Sequence, residues 1–223
     1  MADSLFVSVT KMSPNNSGQR KHDITRITPH CVVGQISAEA LGTMFADRSI
    51  QASSNYGIGY DGKVGLYVPE AMRSWCSSDA DNDHRAVTIE CASDSTAPYA
   101  FNWTVYGKLV DLCVDICKRN GKHKLLWLGD KDKTLAYDPK PDEMILTVHR
   151  WFANKSCPGD WMMERMGVLA KQVTEKLSAT PTASDDVTLY RVQLGAFVHK
   201  SNAEAYLKMV QEHFPDAFIT TKG

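Results

Sequence analysis

The sequence predicts an α/β domain followed by a small βαβ unit, and three observations carry that expectation. Short β-branched runs alternate with stretches of helical periodicity as far as residue 178. SATPTASDD, residues 178–186, then breaks the periodicity with small polar residues and a proline, as a linker does. With 223 residues, 43% of them hydrophobic and 23% charged, the chain can bury a full-sized core ahead of that linker. The expected divisions are 1–178 for the main domain, 179–186 for the linker and 187–223 for the tail.

Taken in order, ITRITPHCVVG (24–34) is a β-branched strand ending at a glycine. SAEALGTMFADR (37–48) is a helix opened by Ser37 as N-cap. NYGIGYDGKVGLYV (55–68) reads as a hairpin turning at Asp61-Gly62, and AVTIECA (86–92) as a short apolar strand. DADNDHRA, between them, reads as a loop exposing His84. NWTVYGKLVDLCVDICKRNG (102–121) places Val105, Leu109, Leu112, Cys113, Ile116 and Cys117 on one helix face and stops at Gly121. MILTVHRWF (144–152) reads as a strand and DWMMERMGVLAKQVTEKLS (160–178) as a helix capped by Asp160. In the tail, VTLYRVQLGAF (187–197) is strand-like, SNAEAYLKMVQEHF (201–214) is a helix capped by Ser201, and DAFITTKG (216–223) is a short last strand.

Charge and cysteine usage narrow the function classes. With 25 basic and 26 acidic side chains, net charge −1, bulk electrostatics point to neither nucleic acid nor an anionic membrane as partner. No run is apolar enough to span a bilayer, and MADSLFVSVTKMSPNNSGQRKHD lacks the basic and apolar regions of a signal peptide. Synthesis in the cytoplasm without a signal peptide is the expectation. The six cysteines, spread through a large domain, are then expected as reduced thiols. Cys113 and Cys117, four apart on one helix face, follow a core pattern rather than a metal pair.

Chemistry concentrates in three places. His30 and His149 each close an apolar strand, and Cys157 follows His149 across the loop of HRWFANKSCPG (149–159). Two imidazoles and a thiolate suffice to bind zinc with a fourth position open, the arrangement of a hydrolytic rather than a structural site. Hydrogen-bonded structural histidines are the alternative. A thiol peptidase with Cys157 as nucleophile and His149 as base is a further one, disfavoured because the cysteine follows the histidine and precedes a proline. Glu90 closes AVTIE, where burial without a partner is costly, so it either faces solvent or has a chemical role.

ITPHCVVG, SSNYGIGYDGKVGLYVPEAMRSW, AVTIE and HRWFANKSCPG, in that order, resemble the successive motifs of type-2 N-acetylmuramoyl-L-alanine amidases. These share a fold with peptidoglycan recognition proteins and phage lysozyme-like amidases, and the resemblance spans residues 20–178. It implies a mixed central β-sheet flanked by helices, with Zn2+ bound by His30, His149 and Cys157, the cysteine replacing an aspartate of some relatives. It implies hydrolysis of the amide between the lactyl group of N-acetylmuramic acid and L-alanine in bacterial peptidoglycan. Glu90 aligns with the residue that some members use as general base. Lys155 holds the family's cationic position, where it would stabilise the oxyanion; a solvated loop lysine is the alternative. The chain departs from the pattern in two places. A tyrosine near the metal in some relatives is here Ser54, leaving Tyr56, two residues on, either in the substrate cleft or packed in the sheet. The frequent Trp-His is here Trp75-Cys76, which removes that histidine; Trp75 either lines the substrate groove or packs in the core.

YRVQLGAFVHKSNAEAYLKMVQEHFPDAFI resembles the first half of a SPOR repeat, a module that binds peptidoglycan glycan strands. A half-module implies either part of a longer one or two copies of the chain pairing through a strand edge, a homodimer. An amidase domain with such a tail implies a phage or prophage endolysin that reaches the wall after release from the cytoplasm. A bacterial autolysin and a catalytically silent wall-binding protein of the same fold are the alternatives; silent relatives lack the third ligand, which Cys157 supplies here.

Overall fold

The β-branched run at 24–34 becomes a central strand of a seven-stranded sheet. In the computed structural model, which describes residues 3–179, 195–212, 214 and 217–220, the chain divides into two units, Met1–Thr180 and Pro181–Gly223. The first contains β1 (Val7–Thr10), β2 (Asn16–Gln19), β3 (Arg26–Cys31), α1 (Ala38–Ala46), β4 (Tyr56–Ile58), β5 (Val64–Leu66), β6 (Met72–Ser74) and α2 (Ala80–Arg85). It continues through β7 (Ala86–Cys91), α3 (Trp103–Arg119), β8 (Lys124–Leu126), α4 (Lys131–Ala136), β9 (Glu143–Leu146), α5 (Asp160–Met163) and α6 (Met166–Ser178). The sheet runs β1-β5-β4-β7-β3-β9-β8, and β2 pairs with β6 separately. Strands β4, β7, β3, β9 and β8 are parallel to one another, while β5 is antiparallel to β4. The architecture is therefore a mixed sheet flanked by helices, with five strands ending on one edge.

Residues spaced by a helical turn on α3, among them Val105, Leu109, Leu112, Cys113, Ile116 and Cys117, join Leu169, Ala170 and Val173 of α6 and the strand side chains in the main core. A smaller core forms between Leu41 and Phe45 of α1 and Tyr67. Glycine is required where Tyr67 crosses the β4–β5 pair. Gly57 and Gly65 lie opposite each other, and a Cβ on Gly57 would meet the Tyr67 ring at 2.6 Å.

Ser37 caps α1 as expected, its hydroxyl accepting from the Ala40 amide at 3.2 Å. The hairpin turns at Asp61-Gly62, with Gly62 at φ +80°. Three elements depart from expectation. The strand expected over 144–152 ends at Leu146, and His149–Trp151 form a 3-10 turn instead. The helix expected over 160–178 is two helices, broken between Met163 and Met166; Asp160 does not cap it, and its carboxylate pairs with Arg150 at 3.0 Å. DADNDHRA is not a loop: Asp79 caps α2, and His84 is buried, its Nδ1 accepting from the Lys21 amide at 3.3 Å.

In the second unit, α7 (Lys200–Gln211) opens at His199 without a side-chain cap, so Ser201 lies inside the helix rather than at its end. Residues 187–194 of the expected tail strand, and 216 and 221–223 of the last expected strand, lie outside the described residues; residues 195–197 and 217–220 form no strand. Among the described residues no helix is long and apolar enough to cross a membrane.

Tyr56 belongs to the core. It is fully enclosed, its hydroxyl donating to Glu70 Oε1 at 2.7 Å and accepting from the Ser4 amide at 2.9 Å. The wholly buried Glu70 carboxylate is held by Arg119 through two bonds of 2.9 and 2.5 Å. Removing one partner of such a pair leaves a desolvated charge uncompensated. Arg119→Ala is expected to lower unfolding free energy by about 3 kcal/mol in urea titrations; a loss below about 1 kcal/mol would mean that water reaches Glu70.

Candidate active site

Strand register assembles the site. β3 and β7 run parallel with His30 directly opposite Glu90, so both side chains arrive at the carboxyl edge of the sheet. β9 lies on the other side of β3. The chain leaves the sheet after the Thr147 amide bonds to the Ile27 carbonyl at 3.1 Å. The 3-10 turn then carries His149 over His30, ring centroids 5.1 Å apart. The Arg150 amide donates to the Cys157 carbonyl at 3.1 Å, and the Arg150 guanidinium binds the Ser156 carbonyl and Asp160. These bonds fold HRWFANKSCPG back on itself. Gly159, at φ +86°, lies against Pro98, where a Cβ would come within 2.7 Å of the carbonyl oxygen.

Cys157 Sγ consequently lies 3.3 Å from His30 Nδ1 and accepts the Cys31 amide at 3.4 Å. The donor atoms of His30, His149 and Cys157 all fall within 4.8 Å of one another. A tetrahedral zinc with bonds of about 2.0 to 2.3 Å sets its ligands roughly 3.5 Å apart, which the His30–Cys157 separation matches. His149 Nε2 is 3.1 Å from Ser78 Oγ, a contact that orients the ring. His30 Nε2 and Glu90 Oε2 are buried without a hydrogen-bond partner among the described residues. Two nitrogens and one sulfur, with donor atoms within 4.8 Å of one another, fit a zinc ion.

Burial, and then the neighbouring His149, hold His30 well below the usual imidazole range. Burial and the Lys155 charge lower His149. Both rings are therefore neutral near pH 7, as ligands must be. The contact with Cys31, followed by burial, raises the Cys157 thiol. Its sulfur is paired with His30 instead of His149, an arrangement that does not suit a peptidase with His149 as base. Burial raises the Glu90 carboxyl to about 7. Its Oε1 lies 3.9 Å from His30 Nδ1 and 3.8 Å from Cys76 Sγ.

Four of the residues singled out in the sequence, His30, Glu90, His149 and Cys157, thus come together. Lys155 is exposed on the same loop, near enough to His149 to influence its protonation. Trp75 is partly exposed, its indole N–H donating to Ser17 Oγ at 2.7 Å. Tyr56 is excluded: its enclosed hydroxyl points to Glu70, so it packs in the sheet and lines no cleft. The sequence reading missed Cys76, whose sulfur joins His30 and Glu90 in a second group of donor atoms within 4.8 Å. It also missed Asp83, which anchors the turn carrying Cys76. Asp83 accepts from the Cys76 amide at 3.0 Å, the Ser77 amide at 3.1 Å and the Ser77 hydroxyl at 2.6 Å. A signal was present, since DADND holds a capping aspartate ahead of a short helix.

A family model described as N-acetylmuramoyl-L-alanine amidase matches residues 20–160, more than half of the chain. A SPOR domain model matches residues 169–221, beginning inside α6, whose Leu169, Ala170 and Val173 belong to the core of the first unit. No curated protein sequence matches significantly. Among solved structures, AmpD superimposes with a TM-score of 0.53 at 18% identity, covering 76% of this chain and 99% of that one. The Staphylococcus aureus hydrolase AmiA gives 0.53 at 12% identity, with 79% and 84% covered. A mutant of PlyL gives 0.52 at 12% identity, with 74% and 96% covered. At these identities the likeness concerns the fold.

Asp83→Ala would leave the Cys76 and Ser77 amides, both buried, without their acceptor. The expected loss is about 2 kcal/mol of stability, read by urea denaturation; a change under about 0.5 kcal/mol would show that the turn holds without Asp83.

Proposed function

The chain belongs to the N-acetylmuramoyl-L-alanine amidase family, and on that premise we propose a zinc-dependent peptidoglycan amidase in which His30, His149 and Cys157 hold the ion. The observation that carries this reading is the convergence of those three side chains, from β3, the 3-10 turn and the following loop, with His30 Nδ1 and Cys157 Sγ 3.3 Å apart. The bond cut is the amide between the lactyl group of N-acetylmuramic acid and the L-alanine of the stem peptide.

Zinc, when bound, supplies a Lewis acid for the scissile carbonyl and lowers the pKa of water. The remaining work falls to this chain's own groups. Glu90, with Oε2 unpartnered and a carboxyl near neutrality, accepts a proton from the attacking water and returns it to the leaving amine. The Lys155 ammonium, on the loop carrying Cys157, offsets the charge of the tetrahedral oxyanion. Ser78 orients His149, and the Cys31 amide orients the Cys157 sulfur. Trp75, partly exposed one residue before Cys76, supplies an aromatic surface for the muropeptide. The SPOR-like tail is assigned to glycan binding, and an endolysin released to the wall is the setting that combines the two parts.

Purified protein is expected to hold zinc, to lose wall-clearing activity to a chelator and to regain it with added zinc. The products should carry new L-alanine amino termini with no new reducing sugars. Cys157→Ala should stay folded yet neither retain zinc nor cleave; a variant that keeps stoichiometric zinc would remove Cys157 from the ligand set. Lys155→Ala is expected to lower kcat by about 100-fold with zinc content unchanged, and a kcat within about twofold of the parent would make it a solvated loop residue.

A further inference from the structure

We infer that Cys76 is a positioning residue that fixes the orientation of the Glu90 carboxylate, an inference that rests on the reading of Glu90 as the general base. Glu90 sits between β3 and β4 in the sheet, with His30 on one side and Gly57 on the other. Gly57 brings no side chain to the carboxylate, and the space over it is taken by the Tyr67 ring, whose hydroxyl donates to the Ala38 carbonyl at 2.7 Å. Cys76 supplies a directional contact to one carboxylate oxygen. Its sulfur, 8% exposed as a residue, lies 3.8 Å from Glu90 Oε1, within reach of a weak S–H···O bond.

The backbone around Cys76 is held for that task. Asp83 Oδ2 accepts the Cys76 amide at 3.0 Å, and both Asp83 oxygens grip Ser77. The side chain therefore leaves a fixed point. Burial and the carboxylates of Glu90 and Asp83 raise the thiol well above its usual range, so it remains a donor. Occupying Oε1, which also faces His30 Nδ1 at 3.9 Å, leaves Oε2 as the oxygen without a partner. Contacts on one oxygen set the rotation of the whole carboxylate, and so the direction in which it takes a proton.

The same sulfur belongs to a donor group with His30 and Glu90, so a ligand role and a positioning role must be separated by measurement. The experiment uses zinc-loaded, full-length protein carrying Cys76→Ala or Cys76→Ser, each in the parent and in a Glu90→Gln background. Kinetics are followed on a soluble muropeptide and zinc by elemental analysis. Cys76→Ala in the parent is expected to lower kcat about tenfold, with KM within about twofold and zinc retained. Cys76→Ser, which keeps a donor, should retain most of kcat. In the Glu90→Gln background Cys76→Ala should change the residual kcat by less than about twofold, because no carboxylate remains to be oriented.

An equal fall in both backgrounds would overturn the inference in favour of simple packing. Loss of zinc from Cys76→Ala would overturn it in favour of ligation, and an unchanged kcat, or a serine variant no better than alanine, would also overturn it. Full activity of Glu90→Gln alone would mark a different failure, that of Glu90 as base.

Discussion

The parallel, in-register pairing of β3 with β7 is the constraint on which the site depends, since it sets His30 beside Glu90. A shift of one residue in that ladder would turn every side chain of the strand to the opposite face and dissolve the constellation. Burial fixes the register: all six residues of β3 and five of the six in β7 are buried. Thr28 and Thr88 stand opposite each other, each tied to other elements by its hydroxyl, Thr28 to Thr147 at 2.7 Å and Thr88 to Ser74 at 2.7 Å. Polar side chains buried this deeply bond only in one alignment, which gives the sheet specificity as well as stability.

Chemistry is then placed at the edge where five parallel strands end, the position where parallel sheets commonly hold their ligands. Among the described residues, a few buried side-chain polar atoms have no hydrogen-bond partner. They include His30 Nε2 and Glu90 Oε2. Such atoms cost about 1 to 3 kcal/mol each when nothing bonds to them. An unpaired carboxylate oxygen at Glu90 is the trade of stability for function expected of an active site. Neutral imidazoles and a carboxyl shifted towards neutrality arise from the same burial. One physical cause thus sets the protonation of both histidines and of Glu90.

Much of this was legible in the sequence because it rests on local patterns. Ser37, Asp61-Gly62 and the apolar face of α3 are statements about neighbours in the chain, and the structure contains each of them. His30, Glu90, His149 and Cys157 became legible through ordered motifs. What escaped depended on contacts distant in sequence. The 3-10 turn at His149 replaces a strand because Arg150 closes the loop onto Ser156 and Asp160, a preference that β-branched composition does not encode. Tyr56 reads equally as cleft or core until Glu70 and Arg119 are placed beside it. Cys76 looked like the loss of a histidine; only folding shows its sulfur against Glu90.

The claim beneath all of these is that two imidazoles and a single thiolate share one zinc ion. X-ray absorption at the zinc edge of the loaded, full-length protein reads that first shell directly. The spectrum should show one sulfur at about 2.3 Å with nitrogen neighbours at about 2.0 Å. A first shell with no sulfur would contradict the assignment of Cys157, and one with two would draw Cys76 into the metal centre.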